Sequence, residues 1–243
     1  MGLPKALPGV VTEMIFHYKS PFSFVHSKTA ECSNTAQSVI AGLRDVSHDL
    51  VTDGETGFIA VRFREGAFNN FCRVPQLEIA GQFLSPRDMW GHKGAELEKK
   101  VADSHTNLER VNVIESYLLS FLETHCKADT MMEYMVKQVG CGAVLHQVPG
   151  DMGISYRHFH RRFTAYTGLT PKTFQKISCF DSIMRNLTRL KNTNYLGEAL
   201  NAGYFDQSHF IKDFKKYVNE TPTTFLTEKN FMSHFYNTGD MLI

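Results

Sequence analysis

The chain has few cysteines, no long apolar run and almost no net charge. Its five cysteines, at positions 32, 72, 126, 141 and 179, are odd in number and never spaced Cys-x-x-Cys. That argues against a disulfide framework or a cysteine-type structural zinc site and suits reduced thiols. No apolar run approaches the roughly 18 residues of a membrane span, and no basic-then-apolar export signal opens the chain. The expectation is a soluble, cytoplasmic protein with no membrane partner. A Gly-rich phosphate loop and a Gly-x-Ser-x-Gly nucleophile elbow are both missing. Of the eleven histidines, His17, His26, His48 and His92 lack close ligand spacing with a carboxylate, and His158 and His160 lie two apart on a predicted helix, pointing in different directions. No catalytic residue, metal or cofactor is therefore expected. Net charge is only +1, but from residue 129 onward 13 Lys and Arg face 10 acidic residues, whereas residues 1–128 carry 13 against 15. The asymmetry has the sign of a C-terminal nucleic-acid-binding domain.

Against these absences stands a repeat. Phe159, Phe163, Tyr166, Thr170, Pro171, Thr173 and Phe174 recur 51 residues later as Phe210, Phe214, Tyr217, Thr221, Pro222, Thr224 and Phe225. In each copy the three aromatic residues lie at i, i+4 and i+7, one buried stripe of a helix. Ser155 and Asp206 stand where an N-cap is needed, and Gly168 and Asn219 where a left-handed residue ends a helix. Gly153 and Gly203 precede the caps, at the site of a tight interhelical turn. The faces opposite the aromatics are polar: Arg157, His160, Arg161 and Thr164 in the first copy, Gln207, Ser208, His209 and Lys212 in the second. Helix, glycine turn and capped polar helix make a helix-turn-helix, a motif that lays its second helix in a DNA major groove.

The stretches Gly153 to Phe163, Gly168 to Lys172 and Ala199 to Lys215, with Gly203-Tyr204, Asp206-Gln-Ser-His-Phe210 and Thr221-Pro222 the most specific, resemble the DNA-binding domain of AraC/XylS-family transcription regulators over about residues 130–230. The resemblance implies recognition helices at 155–166 and 206–217, joined by a long helix near 172–190, and a bacterial-type regulator that binds double-stranded DNA. Its base-facing positions fall on Arg157, His160 and Arg161 and on Gln207, Ser208, His209 and Lys212. Arg forks onto guanine and Gln pairs with adenine, so Arg157, Arg161 and Gln207 have the most fitting chemistry. Lys172, Lys176, Arg185, Arg189, Lys215 and Lys216 are the candidate phosphate contacts. Three positions depart from the family pattern. Pro149, inside the first supporting helix, is expected to kink it. Cys179 replaces an Arg of the linking helix, and Glu198 a usually apolar residue. The alternative reading is an effector-binding or interaction protein whose DNA-binding domain is degenerate.

The fold class expected is α+β: a β-rich sheet or barrel with following helices over 1–127, an all-α domain of two helix-turn-helix motifs over 128–236, and a tail at 237–243. Strands are predicted at Thr12–Tyr18, Ser38–Leu43, Gly57–Arg64 and Gln76–Phe83. In the third, Val61 and Phe63 alternate with Arg62 and Arg64, as one buried and one wet face require. Helical spacing follows at 95–103 and 107–124. The apolar stripe of 107–124 suits packing on its own sheet, and a weak homodimer through it is a second use. Val61 to Ala67 and Met89-Trp90-Gly91 are similar to the N-terminal domain of one subgroup of these regulators, which implies effector sensing or self-association, with RNA polymerase as a further partner. Relatives usually carry another strand before Leu7-Pro8-Gly9, so the chain is expected to begin late.

Overall fold

The structure is a computed structural model that describes residues 3, 5–33, 36–125, 129–189 and 195–226. Its N-terminal part is built on β1 (Glu13–His17), whose five residues are all buried. Successive strand side chains point to opposite faces, so such burial requires cover on both sides. β1 pairs antiparallel with β3 (Ser38–Ala41) and β5 (Phe58–Arg62), and β3 with β6 (Phe83–Leu84), giving a four-stranded sheet in the order β5-β1-β3-β6. Ile15 and Val39 on one face join Phe22, Phe24 and Leu50 of a two-stranded sheet, β2 (Ser23–His26) with β4 (His48–Val51). On the other face Met14, Phe16 and Ile40 meet helices α3 (His92–Asp103) and α4 (Asn107–His125) through Leu97, Val101 and Ile114. The two sheets do not close into a barrel.

Two strand expectations change. Gln76–Phe83 is not one strand: a short helix, α1 (Gln76–Ile79), is followed by a turn at Gly81 (φ 72°) and the two-residue β6. Leu77 and Ile79 suggest alternation, but Gln76 and Ile79 are the buried pair, at i and i+3, while Leu77 faces solvent. Nor is Arg62 on a wet face. It is opposite Glu13 in the ladder, and Glu13, buried, takes an ion pair from Arg62 at 2.9 Å and another from buried Arg44 at 2.8 Å. Burial of Glu13 is tolerable because both carboxylate oxygens are paired. α2 (Pro86–Trp90), capped by Ser85 and Asp88, places Trp90 so that its indole N–H donates to the Phe71 carbonyl at 2.7 Å. α4 sets Ile114, Tyr117, Leu118, Phe121 and Leu122 on the same core, so its apolar stripe packs on its own domain.

The C-terminal part is helical: α5 (Thr130–Gly140), α6 (Tyr156–Thr167), α7 (Pro171–Arg189), α8 (Tyr195–Asn201), α9 (Gln207–Val218) and α10 (Pro222–Phe225). Its core holds Phe159, Phe163, Phe174, Phe180, Phe210 and Phe214, each fully buried, and each contributes about 1.5–3 kcal/mol by leaving water. Leu7, Val10 and Leu43 from the N-terminal part belong to this core, so the two parts share one continuous apolar contact. The expected boundary at 127/128 and the tail at 237–243 fall outside the described residues. No helix among the described residues is long and apolar enough to cross a membrane.

Candidate nucleic-acid interface

α6 and α9 are built alike, for the reasons legible in the repeat. The Ser155 hydroxyl accepts from the His158 N–H at 3.3 Å, and the Asp206 carboxylate from the His209 N–H at 2.7 Å. Each satisfies a backbone donor that the first helical turn leaves open. Gly168 (φ 81°) and Asn219 (φ 63°) end the helices in the left-handed region. Thr170 and Thr221 then cap the helices that begin at Pro171 and Pro222. At Gly153 and Gly203 (φ 64° and 94°) a Cβ would meet nothing within 4 Å, so the backbone dihedral, not space, calls for glycine.

The supporting elements differ. In the second motif α8 is a regular helix that turns at Gly203 through bonds from Gly203 N–H to the Leu200 carbonyl and from Tyr204 N–H to the Ala199 carbonyl. Glu198 accepts from the Asn186 amide of α7 at 3.2 Å. In the first motif the expected helix is replaced by turns from residue 145 to 149 and a 3-10 helix, Gly150–Met152. Its bonds run i to i+3, as from Gly150 N–H to the Gln147 carbonyl and from Met152 N–H to the Pro149 carbonyl. Pro149 has no N–H to give the Leu145 carbonyl, so an α-helix cannot pass through it intact.

The expected readers stand on the outer faces. Arg157 and Arg161 are exposed and His160 half-buried on α6, while Gln207, Ser208, His209 and Lys212 are exposed on α9. His209 is held from behind: Tyr204 meets its ring edge-on at 4.9 Å, and its Nε2 lies 3.9 Å from Asp213. Gln207 donates to the Tyr195 hydroxyl at 3.2 Å. The Tyr204 hydroxyl lies 3.5 Å from the same Asp213, and burial first, then that carboxylate, raises its pKa, so it stays a donor. Among the phosphate candidates, Lys172, Lys215 and Lys216 are exposed. Lys176 is 3.9 Å from Asp213, and Arg185 is paired at 2.9 Å with Asp181, whose pKa burial pushes up. The side chain of Arg189 lies outside the described residues. Cys179 gives its thiol to the Ala202 carbonyl at 3.2 Å beneath the second turn instead of supplying a cation.

Sequence reasoning missed the docking of the N-terminal part on the far ends of both helices. The Ser47 N–H donates to the Tyr217 carbonyl at 2.7 Å, the Ser47 hydroxyl to the Val218 carbonyl at 3.2 Å, and the Asn219 amide to the Ser27 carbonyl at 2.8 Å. Lys5 is ion-paired with Glu220 at 2.8 Å and with Asp49 at 3.1 Å. On α6 the Asn69 amide donates to the Tyr166 carbonyl at 2.9 Å. Carbonyls at a helix C-terminus lack intrahelical partners, so these donors serve an open need. Nothing local in sequence signals such pairs.

Two capped, polar-faced helices, each behind a glycine turn and joined by α7, define a double helix-turn-helix domain. Residues 150–228 match a family model described as a helix-turn-helix domain. A search of curated proteins finds no match by sequence. Among solved structures the chain is similar to ToxT from Vibrio cholerae, at 11% identity and a TM-score of 0.52 over 96% of this chain and 95% of that one. An apo form of a ToxT point variant from Vibrio cholerae strain SCE256 gives 10% identity and a TM-score of 0.50 over 93% and 91%. At such identities the likeness concerns the fold.

Proposed function

We propose that the chain is a DNA-binding transcription regulator that places α6 and α9 in successive major grooves on one side of promoter DNA, with Arg157, His160, Arg161, Gln207, Ser208, His209 and Lys212 at base edges. The observation that carries the reading is the matched pair of capped helices with outward polar faces, both packed on one 19-residue helix, α7, through Phe174 and Phe180. Lys172, Lys215 and Lys216 would neutralise phosphates and fix the register. A small effector has a place to touch both domains in the cleft of about 660 Å³ lined by α5, α7 and the second turn, into which Val10 and Glu65 reach. RNA polymerase and a second copy of the chain are the further partners we propose.

The test is selection of bound duplexes from a random pool with the full chain, followed by footprinting. Two protected segments about one turn apart are expected. A protein that prefers no duplex would instead support the interaction-protein alternative.

A further inference from the structure

Among the described residues Phe205 is the most exposed large apolar side chain, 88% open to solvent. It stands just before Asp206, the N-cap of α9, where an apolar residue commonly folds back onto the fourth residue of the helix. That residue, Phe210, is fully buried and already surrounded: Tyr195 stacks on it at 5.7 Å, Tyr204 meets it edge-on at 5.2 Å and Phe214 lies at 5.7 Å. Tyr204 thus takes the packing position, and Phe205 is turned out. The repeat supplies the comparison. Ile154, 51 residues earlier, holds the same place before Ser155 and packs against the core.

Phe205 stands two residues before Gln207, and Gln207, Ser208 and Lys212 are exposed as it is. The Asp206 carboxylate beside it is engaged with the His209 N–H. An apolar ring at the entering end of a helix otherwise lined by hydrogen-bonding groups has one apolar counterpart among major-groove base edges, the 5-methyl group of thymine. We infer that Phe205 is a specificity residue of the second motif that reads a thymine methyl by apolar contact. The inference rests on the proposed entry of α9 into the major groove.

The test replaces each thymine of the best selected duplex, one at a time, by deoxyuridine, which removes only the methyl. Binding is measured for the full-length protein and for Phe205→Ala and Phe205→Leu, with thermal melting as the control. Because the ring packs on little, both variants should melt as the unmutated protein does. The unmutated protein should lose about fourfold at one thymine, the worth of one buried methyl. Phe205→Ala should bind the thymine duplex more weakly and be indifferent to that replacement, whereas Phe205→Leu should keep most of the sensitivity. A uniform loss in Phe205→Ala with the deoxyuridine response intact would overturn the inference in favour of a sugar-phosphate contact. Unchanged binding would overturn it in favour of a protein partner for the ring. Failure of the underlying reading shows separately, in an unmutated protein that prefers no duplex.

Discussion

Gly168 and Asn219 occupy matching left-handed positions, yet their surroundings give them different tolerances. A Cβ at Gly168 would lie 2.7 Å from the Gln76 carbonyl oxygen and 2.8 Å from Ala80 Cβ, in addition to the strain of φ 81°. Gly168→Ala should cost about 2–4 kcal/mol in urea denaturation. Asn219→Gly relieves backbone strain while losing the bond to Ser27, so it should stay within about 1 kcal/mol of neutral. Equal costs at the two sites would refute this account. His48 sets a pH dependence. Burial, then the charges of Arg44 and His26, lower its pKa from 6.5 to about 4, and burial lowers that of His17 as well. A depressed pKa means that the unfolded chain takes up protons which the folded chain refuses. The contribution is therefore complete above pH 6.5 and is lost as pH falls toward 4. Melting temperature should drop across that window, and His48→Gln should flatten the drop.

At the scale of elements, the two motifs rest on unequal supports. α8 is a regular helix under α9, whereas Pro149 replaces the helix under α6 by turns and a 3-10 segment. Gln207→Ala with Lys212→Ala should therefore cost more specific binding than Arg157→Ala with Arg161→Ala. Each lost bidentate contact is worth about 1–3 kcal/mol and the discrimination of one base pair. A 207/212 double variant that keeps full preference would show that α9 is not the main reader. Lys172→Ala or Lys215→Ala should weaken binding to all sequences alike and lower the salt slope by about one. Arg185→Ala should change that slope less, because its guanidinium already serves Asp181, and it should lower stability by leaving that buried carboxyl unpaired.

At the scale of the molecule, α4 is the element through which we propose that two copies of the chain pair. Its apolar stripe is occupied by the sheet, and Leu108 and Leu119 are the large apolar residues it leaves exposed, at 70% and 60%. So little free apolar surface supports weak pairing at most. Light scattering should show a monomer at low micromolar concentration and a dimer only at high micromolar concentration, abolished by Leu119→Glu. A tight dimer indifferent to that substitution would place the contact elsewhere. The N-terminal part meanwhile grips α6 through Asn69 and α9 through Ser47 and Lys5, and so holds these two helices in one frame.

What the sequence determined by itself was local or periodic. Caps at Ser155 and Asp206, left-handed ends at Gly168 and Asn219, aromatic stripes and the Pro149 irregularity all follow from hydrogen bonds and sterics within a few residues, so α6 and α9 could be placed to within one or two positions. β1, β3 and β5 were legible because their apolar, β-branched and aromatic runs are bounded by turns. β2 and β4 were not, being four residues each with Ser23, His26, His48 and Asp49 among them. Tertiary structure alone decided that Gln76–Ile79 is a helix, that Arg62 turns to Glu13, and that Lys176 and Arg185 are tethered by Asp213 and Asp181. It alone brought Ser27, Ser47 and Asn69 onto the ends of α6 and α9. These outcomes depend on partners distant in the chain, such as Ser47 with Tyr217, and the energy of such a pair exists only once folding has brought its members together.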